Sequence, residues 1–389
     1  MITINVNFEE EIMKTTRTLL AAAGLSLLAL SAGAATLTLP RDSQASSVSQ
    51  QIGPVRVTVD YSSPRVHAAN GTDRRGAIWG KLVPYGMNNL GFGTCTECPW
   101  RAGANENTTF TTTQDIAIEG QKLPAGTYGL SMIPADANSD WTVIFSRNHS
   151  AWGSFFYDPS EDVLRVKVKP SKADYHEALT YDFLDRQADK ATLALQWEEL
   201  SIPISITVPN VDELVMDSLK HELRAEPGFD TQNWIAASQY AAQHKHSAEA
   251  LQWAETGAAR RFPGAENFNT LVNLADAQEA AGRTAEAKIT REKAFNHPTA
   301  SSIDLHGYAR GLLAHKQKDE AIRIWNLNAK LHPNDWPVNF GLARANSAAG
   351  NYKDALKYAK LALAQAPDPQ NKAALEAAIK KLEVGMDIN

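Results

Sequence analysis

Cysteine is nearly absent: Cys95 and Cys98 are the only two among 389 residues. A closed zinc centre would need about two further ligands, and no other cysteine supplies them. Charge of one sign is also missing. The formal net charge is −6 with 21% charged residues, which leaves no basic footprint for nucleic acid and no polybasic segment for anionic lipid. No Gly-x-Ser-x-Gly elbow and no Walker loop occurs. His244 and His246 form the only close histidine pair, and they lack the i, i+4 spacing that puts two metal ligands on one helix face. Asp136–Asp140 imitates the start of a calcium loop, but Trp141 and Arg147 stand where Gly and Glu belong; the stretch reads as a hairpin turn. No metal and no cofactor are expected.

What is present begins with a targeting pattern. Lys14 and Arg17 precede a mostly apolar run, Leu19 to Leu30, and Ala32-Gly33-Ala34 offers a small-residue cleavage site. The run is about a dozen residues, short of the ~20 that span a bilayer. Residues 1–34 are therefore expected to be a signal peptide, with the true start at Met13, since Glu9, Glu10 and Glu11 are foreign to such a segment. The implied location is periplasmic or secreted, with no membrane span after cleavage. No cysteine near the end of this segment suggests a lipid anchor. In an oxidising compartment the Cys95-x-x-Cys98 pair fits a local disulfide. A redox centre would need a strand-to-helix turn, and the surrounding Gly91-Phe92-Gly93-Thr94 reads as loop.

Residues 35–54, rich in Ser and Gln, read as a flexible leader. Strand patterns start at Val55. Val55 to Tyr61 and Val163 to Lys169 alternate apolar and polar side chains. Ile78–Val83, Thr108–Thr113, Asp115–Ile118, Leu123–Ile133, Trp141–Phe145 (with alternating burial of Trp141, Val143 and Phe145), Leu179–Leu184, Ala191–Trp197 and Ile202–Val208 complete nine or ten short strands. Frequent turns and no long intervening helix predict an all-β sandwich or jelly roll over residues 55–208. The alternating basic residues of Val163–Lys169 are expected to face water and discourage edge pairing.

After Pro209 the chain turns helical. Asn210 is a suitable N-cap for a linker helix within residues 209–230. Beyond it the sequence repeats: Ala287, Ala321 and Ala355 are spaced by 34, and Pro263, Pro298, Pro333 and Pro367 recur at nearly the same interval. That period is the signature of tetratricopeptide repeats, helix–turn–helix units that stack to bury a shared core. Residues 231–389 are thus expected to form an all-α tetratricopeptide-like solenoid, closed by an amphipathic capping helix over Gln370–Leu382. Trp253, Trp325 and Trp336 fall at helical positions and are assigned to its core, the alternative being the concave face that stacked repeats present to a partner. The fold class is α+β in separate domains.

The β region also carries ordered motifs: Leu82-Val83-Pro84-Tyr85-Gly86, Trp100-Arg101-Ala102-Gly103-Ala104-Asn105-Glu106-Asn107, Leu123-Pro124-Ala125-Gly126-Thr127-Tyr128-Gly129-Leu130, Trp141-Thr142-Val143-Ile144-Phe145 and Ala151-Trp152-Gly153-Ser154-Phe155-Phe156-Tyr157. Over residues 55–208 these resemble the bacterial domain-of-unknown-function family 2911. The resemblance implies export and a β-rich fold, and no activity. The chain departs from the family at Met87–Pro99, a longer loop holding both cysteines.

Tyr85, Trp100, Arg101, Asn105 and Glu106 gather the polar chemistry of this region in loop-like sequence, where binding groups are usually carried. Either they line a ligand site, or Arg101 pairs with Glu106 or with backbone and pins the loop. The preferred function is an exported binding or scaffold protein. Its repeats hold a protein or peptide partner, and its β domain takes a second ligand. The alternative is a hydrolase or carbohydrate-processing β domain with Glu106 as acid or base and Arg101 orienting substrate. Glycoside hydrolysis would then require a second carboxylate about 5–10 Å away, from Asp60, Asp158 or Asp162.

Overall fold

The computed structural model describes residues 40–136 and 138–389, so the expected signal peptide lies outside the described residues. The described residues form ten strands and ten α-helices, which fall into two compact units divided between Pro209 and Asn210. No described helix is long and apolar enough to cross a membrane.

The β unit consists of two antiparallel sheets. Six strands lie in the order β1-β2-β3-β6-β7-β8: β1 Gln44–Ile52, β2 Val55–Ser63, β3 Thr108–Thr112, β6 Gly126–Ile133, β7 Trp141–Ser146 and β8 Asp162–Val168. Four lie in the order β5-β4-β10-β9: β4 Ile116–Ile118, β5 Gln121–Leu123, β9 Ser171–Leu184 and β10 Lys190–Thr207. In β2 the alternation is kept, with Val55, Val57 and Val59 buried and Arg56 and Asp60 exposed. β8 is an edge strand whose Arg165 and Lys167 face outward, where charge blocks pairing with another sheet edge.

Four expectations need correction. Of the expected leader, residues 35–39 lie outside the described residues, and residues 44–52 form β1, paired residue for residue with β2 from Ile52↔Val55 to Gln44↔Ser63. Its Ser and Gln side chains bury little, because an edge strand is held by the neighbour's backbone. Ile78–Val83 is no strand. It is a tight turn in which Val83 N donates to Ile78 O at 2.8 Å and Gly80 N donates to Val83 O at 2.9 Å. The two strands expected over residues 191–208 are one, β10, bent at Glu198 by irregular pairing with β9. β7 does not alternate; all six residues are buried, as in a strand covered on both faces.

The long irregular stretch from Pro64 to Asn107 is anchored by Trp79. Its ring makes edge-to-face contacts with Trp100 at 5.7 Å, Trp141 at 5.2 Å and Trp197 at 5.6 Å. Such geometry sets polarised ring edges against neighbouring π faces, and it ties the loop to β7 and β10.

In the helical unit, four antiparallel pairs follow one another: α2 Thr231–Gln243 with α3 Ser247–Gly257, α4 Phe268–Ala280 with α5 Thr284–Phe295, α6 Ser302–Ala314 with α7 Lys318–Leu331, and α8 Trp336–Ala348 with α9 Tyr352–Gln365. Ala287, Ala321 and Ala355, the residues that set the period, are all buried, each near the start of a second helix where the paired backbones come together. The first helix of each pair is capped by a side chain, from Asp230, Asn267, Ser301 and Asp335. The second helix is entered through a left-handed residue instead: Lys245, Gly282, Lys316 and Gly350. Gly adopts that conformation freely, and Lys does so at some cost.

Both ends of the array are closed. Helix α1, Val211–Glu222, is no free linker: Met216 and Leu223 bury against Ala237, Ala241, Ala250 and Trp253. Asn210 precedes it in a left-handed conformation and makes no side-chain cap. At the other end α10, Pro369–Glu383, buries Leu375, Ile379 and Leu382. Trp253 and Trp325 are core residues, and Trp336 packs against the core as a partly buried one.

His306 on α6 is buried with its Nδ1 unpartnered. Burial first, then the nearby Arg344 and Arg310 guanidiniums, pushes its pKa down to about 4 from the ordinary 6.5. Between those values the unfolded chain binds a proton that the folded chain refuses. Stability of the helical unit is thus complete above about pH 6.5 and declines as pH falls towards 4, by about 3 kcal/mol. Urea midpoints at pH 7 and pH 4.5 for the native chain and for His306→Phe test this. The native chain should lose distinctly more; equal losses would refute the assignment.

Candidate functional site

The Trp100–Glu106 motif is a turn built on backbone contacts. Trp100 exchanges two amide bonds with Met132, at 2.8 and 2.7 Å. Ala102 and Asn105 both take positive φ. The Ala102 carbonyl accepts from Tyr181 Oη at 2.8 Å and from Thr108 Oγ1 at 3.1 Å, and Ala104 N donates to Ser62 O at 3.2 Å. These bonds hold the left-handed residues in place and fix where the motif's side chains leave the backbone.

Trp100, Arg101 and Asn105 line a cavity of about 390 Å³. Arg101 does not pair with Glu106. Its Nη1 donates to the carbonyl of Asn105, its Cζ stands 5.2 Å from the centre of the Phe155 ring, and its guanidinium lies flat on Gly153. A Cβ at Gly153 would come within 2.4 Å of Cζ, so a side chain there would displace the guanidinium from this position. Burial, with no carboxylate to offset it, lowers the pKa of Arg101. Asn105 Nδ2 is committed to Ser43 O at 3.2 Å.

The other two candidates lie elsewhere. Glu106 binds Arg41 at 2.5 Å and opens onto a different cavity, shared with Asp60, Tyr61 and His149. Its own backbone amide and the Arg41 guanidinium hold its carboxyl below the usual range, which suits a permanent anion and not a proton donor. Tyr85 is partly exposed and packs its ring against Gly80; its neighbours Pro84 and Gly86 line the cavity. The remaining carboxylates considered for hydrolysis are occupied. Asp158 caps a short turn through Ser160 N at 2.9 Å, and Asp162 accepts from Tyr157 Oη and Arg165 Nε, both at 2.6 Å.

The sequence reading missed Arg74, Asn88, Leu82 and Leu90, which complete the cavity wall. Cys98 also lines it. The Cα atoms of Cys95 and Cys98 are 5.7 Å apart, with the sulfurs within bonding reach. The loop they occupy is held by paired amide bonds between Asn88 and Cys98, each 3.0 Å, and by the Phe155 carbonyl accepting from Thr94 N and Cys95 N at 3.1 and 3.0 Å.

Residues 43–206 match a family model described as Protein of unknown function (DUF2911). This stretch is a DUF2911 domain. The Trp100–Glu106 turn, the arginine it presents and the cysteine loop all belong to the DUF2911 domain. No curated protein matches the chain.

The helical region is similar to solved tetratricopeptide-like repeat structures. One is a set of nearly identical TPR-like repeats from Podosopora anserina, 19% identical over 40% of this chain and 85% of that one, with a TM-score of 0.28. YrrB, a TPR protein with an unusual peptide-binding site, is 15% identical over 43% and 84%, with a TM-score of 0.26. A TPR protein of Thermus thermophilus is 16% identical over 44% and 91%, with a TM-score of 0.27.

The helical unit has an opening of its own. Backbones of the second and third helix pairs stand farther apart than those of the first and second or the third and fourth. A cleft of about 850 Å³ lies between them. Its lining includes Tyr308, Leu312 and His315. Its walls carry two ionic forks: Arg291 to Asp276 and Glu279 at 2.9 and 2.7 Å, and Arg323 to Glu292 and Glu320 at 2.5 and 2.6 Å. The histidines 244 and 246 sit away from it, facing Asp212 at 2.8 Å and Glu213 at 3.9 Å. Among the described residues no group of three His, Cys, Asp or Glu is placed to hold a metal.

Proposed function

We propose that this protein is an exported binding protein of two modules, periplasmic or secreted. The repeats hold a protein or peptide segment, and the DUF2911 domain carries a site for a second, smaller ligand. Export is supported by the basic, apolar and small-residue order of residues 14–34, and by a cysteine pair placed for a disulfide.

The observation that carries the partner-binding reading is the cleft between the second and third helix pairs. Solenoids bind on surfaces that stacking leaves uncovered. Here a Cβ added at Gly311 would meet nothing within 4 Å, so a segment of chain has access to the α6 backbone. The two ionic forks present alternating charge to it, a pattern that selects by complementarity.

A photo-crosslinking residue at His315, in the cleft, is compared with one at Leu361, exposed on α9, in envelope extract. One partner should be captured from position 315 and not from 361, and Gly311→Arg should abolish that capture. Equal capture from both positions, or capture indifferent to Gly311→Arg, would rule the cleft out.

A further inference from the structure

The cavity beside Trp100 has an uneven chemistry. Its charged lining residues are Arg74 and Arg101, with no Asp or Glu among them, in a chain whose net charge is −6. Among the described residues neither arginine has a carboxylate within ion-pair distance; Arg74 reaches only the Arg65 carbonyl, at 3.4 Å. A half-buried guanidinium without a counter-ion carries a desolvation cost that an incoming anion would offset.

The amide and hydroxyl donors of Asn88 and Ser154 in the wall are already in use. Asn88 Nδ2 bonds the carbonyls of Tyr85 and Gly86, both at 3.2 Å, and Ser154 Oγ bonds Pro99 O at 2.5 Å. The guanidiniums are the charged donors of the wall, and they suit an anionic end of a ligand. The rest of the lining is apolar: Leu82, Pro84, Leu90, Pro99, Trp100 and Trp197. Leu82 and Leu90 remain 49% and 40% exposed, so part of the apolar lining stays in contact with water. A volume of 390 Å³ is at the small end of ligand cavities, roughly 300–1,000 Å³.

From this juxtaposition we infer that the DUF2911 cavity binds a small amphiphilic anion, a carboxylate or phosphate monoester bearing a short apolar group. The anion sits on Arg101 with Arg74 at the rim, and the apolar part lies between Leu82, Leu90 and Trp100. The inference rests on the reading of this cavity as a ligand site and adds the class of ligand.

Calorimetric titration of the full chain with octanoate, octyl phosphate, octanamide and acetate tests it. One or both of the eight-carbon anions should bind at least roughly tenfold more tightly than octanamide and than acetate, the scale of a charge-assisted hydrogen bond. The anion that prevails identifies the headgroup. Arg101→Gln should remove that advantage. Because Arg101 also supports the Asn105 turn, Arg74→Gln provides a second variant on an unstrained side chain, and it should weaken the anions several-fold while leaving octanamide unchanged. Octanamide binding as tightly as both octanoate and octyl phosphate would overturn the anionic class and keep the cavity as a ligand site. Acetate binding as tightly would overturn the apolar requirement. Absence of binding by all four compounds at millimolar concentration would overturn both the inference and the ligand-site reading.

Discussion

Trp141→Ala should destabilise the β domain by about 3–5 kcal/mol, the usual cost of emptying a large buried aromatic site, against a whole-domain stability of about 5–15 kcal/mol. Trp141 is fully buried on β7, and its ring meets Trp79 at 5.2 Å. Removing it takes away a core side chain and also a wall of the Trp79 site. Trp79 is what fastens residues 64–107 to the sheets, so the loss should spread to the Trp100–Glu106 turn and the cavity it forms. Hydrogen exchange read by mass spectrometry through a urea series would separate the two units. Peptides from β2 to β10 and from residues 64–107 should lose protection together, with the helical peptides unchanged. Trp152→Ala is the control: its side chain is 55% exposed, and surface changes usually stay within about 0.5 kcal/mol. If Trp141→Ala cost no more than Trp152→Ala, the four-tryptophan cluster would not be the organising core described above.

That cluster could not have been found from the sequence. Trp79, Trp100, Trp141 and Trp197 belong to four separate segments, and no local periodicity links them. What could be read were features that repeat locally. The alternation in β2 and β8 follows from one face being wet. The 34-residue period follows from helix pairs needing a small residue where they touch, as Ala287, Ala321 and Ala355 do. β1 escaped because its pairing is a property of backbone and of β2, while its own Ser and Gln side chains carry no apolar signal. The candidate site divided in the same way. The Trp100–Glu106 motif pointed to the right turn. Adjacency in sequence then suggested that Arg101 and Glu106 act together, whereas successive residues of a turn leave on different sides and here serve different cavities. Arg74 and Asn88 join Arg101 only through the loop's path in space, so nothing near the motif announces them.

Trp325→Ala tests the quasi-one-dimensional character of the repeat array, in which each unit is held mainly by its neighbours. Trp325 is fully buried on α7. It faces Gly341 of α8 so closely that a Cβ there would stand 2.6 Å from its Cδ1. The indole is thus a buried contact between the third and fourth helix pairs, and its removal should cost about 3–5 kcal/mol. The damage should be directional. Exchange protection should fall in α4 to α8, whose Phe268, Leu271, Phe295, Leu305 and Ala345 share one buried cluster with Trp325, and persist in α2 and α3, whose core uses Ala237, Ala241, Ala250 and Trp253 instead. Gly341→Ala alone should cost about 1–3 kcal/mol by overpacking. In the Trp325→Ala background the same methyl enters vacated space and should cost little or even restore stability. A coupling of about 1 kcal/mol or more between the two sites is therefore expected, beyond the few tenths found for separate ones. Additive losses, or protection lost evenly from α2 to α10, would mean that the helices form one closed bundle with a shared core, and the cleft between the second and third pairs would then lose its standing as an opening in a stack.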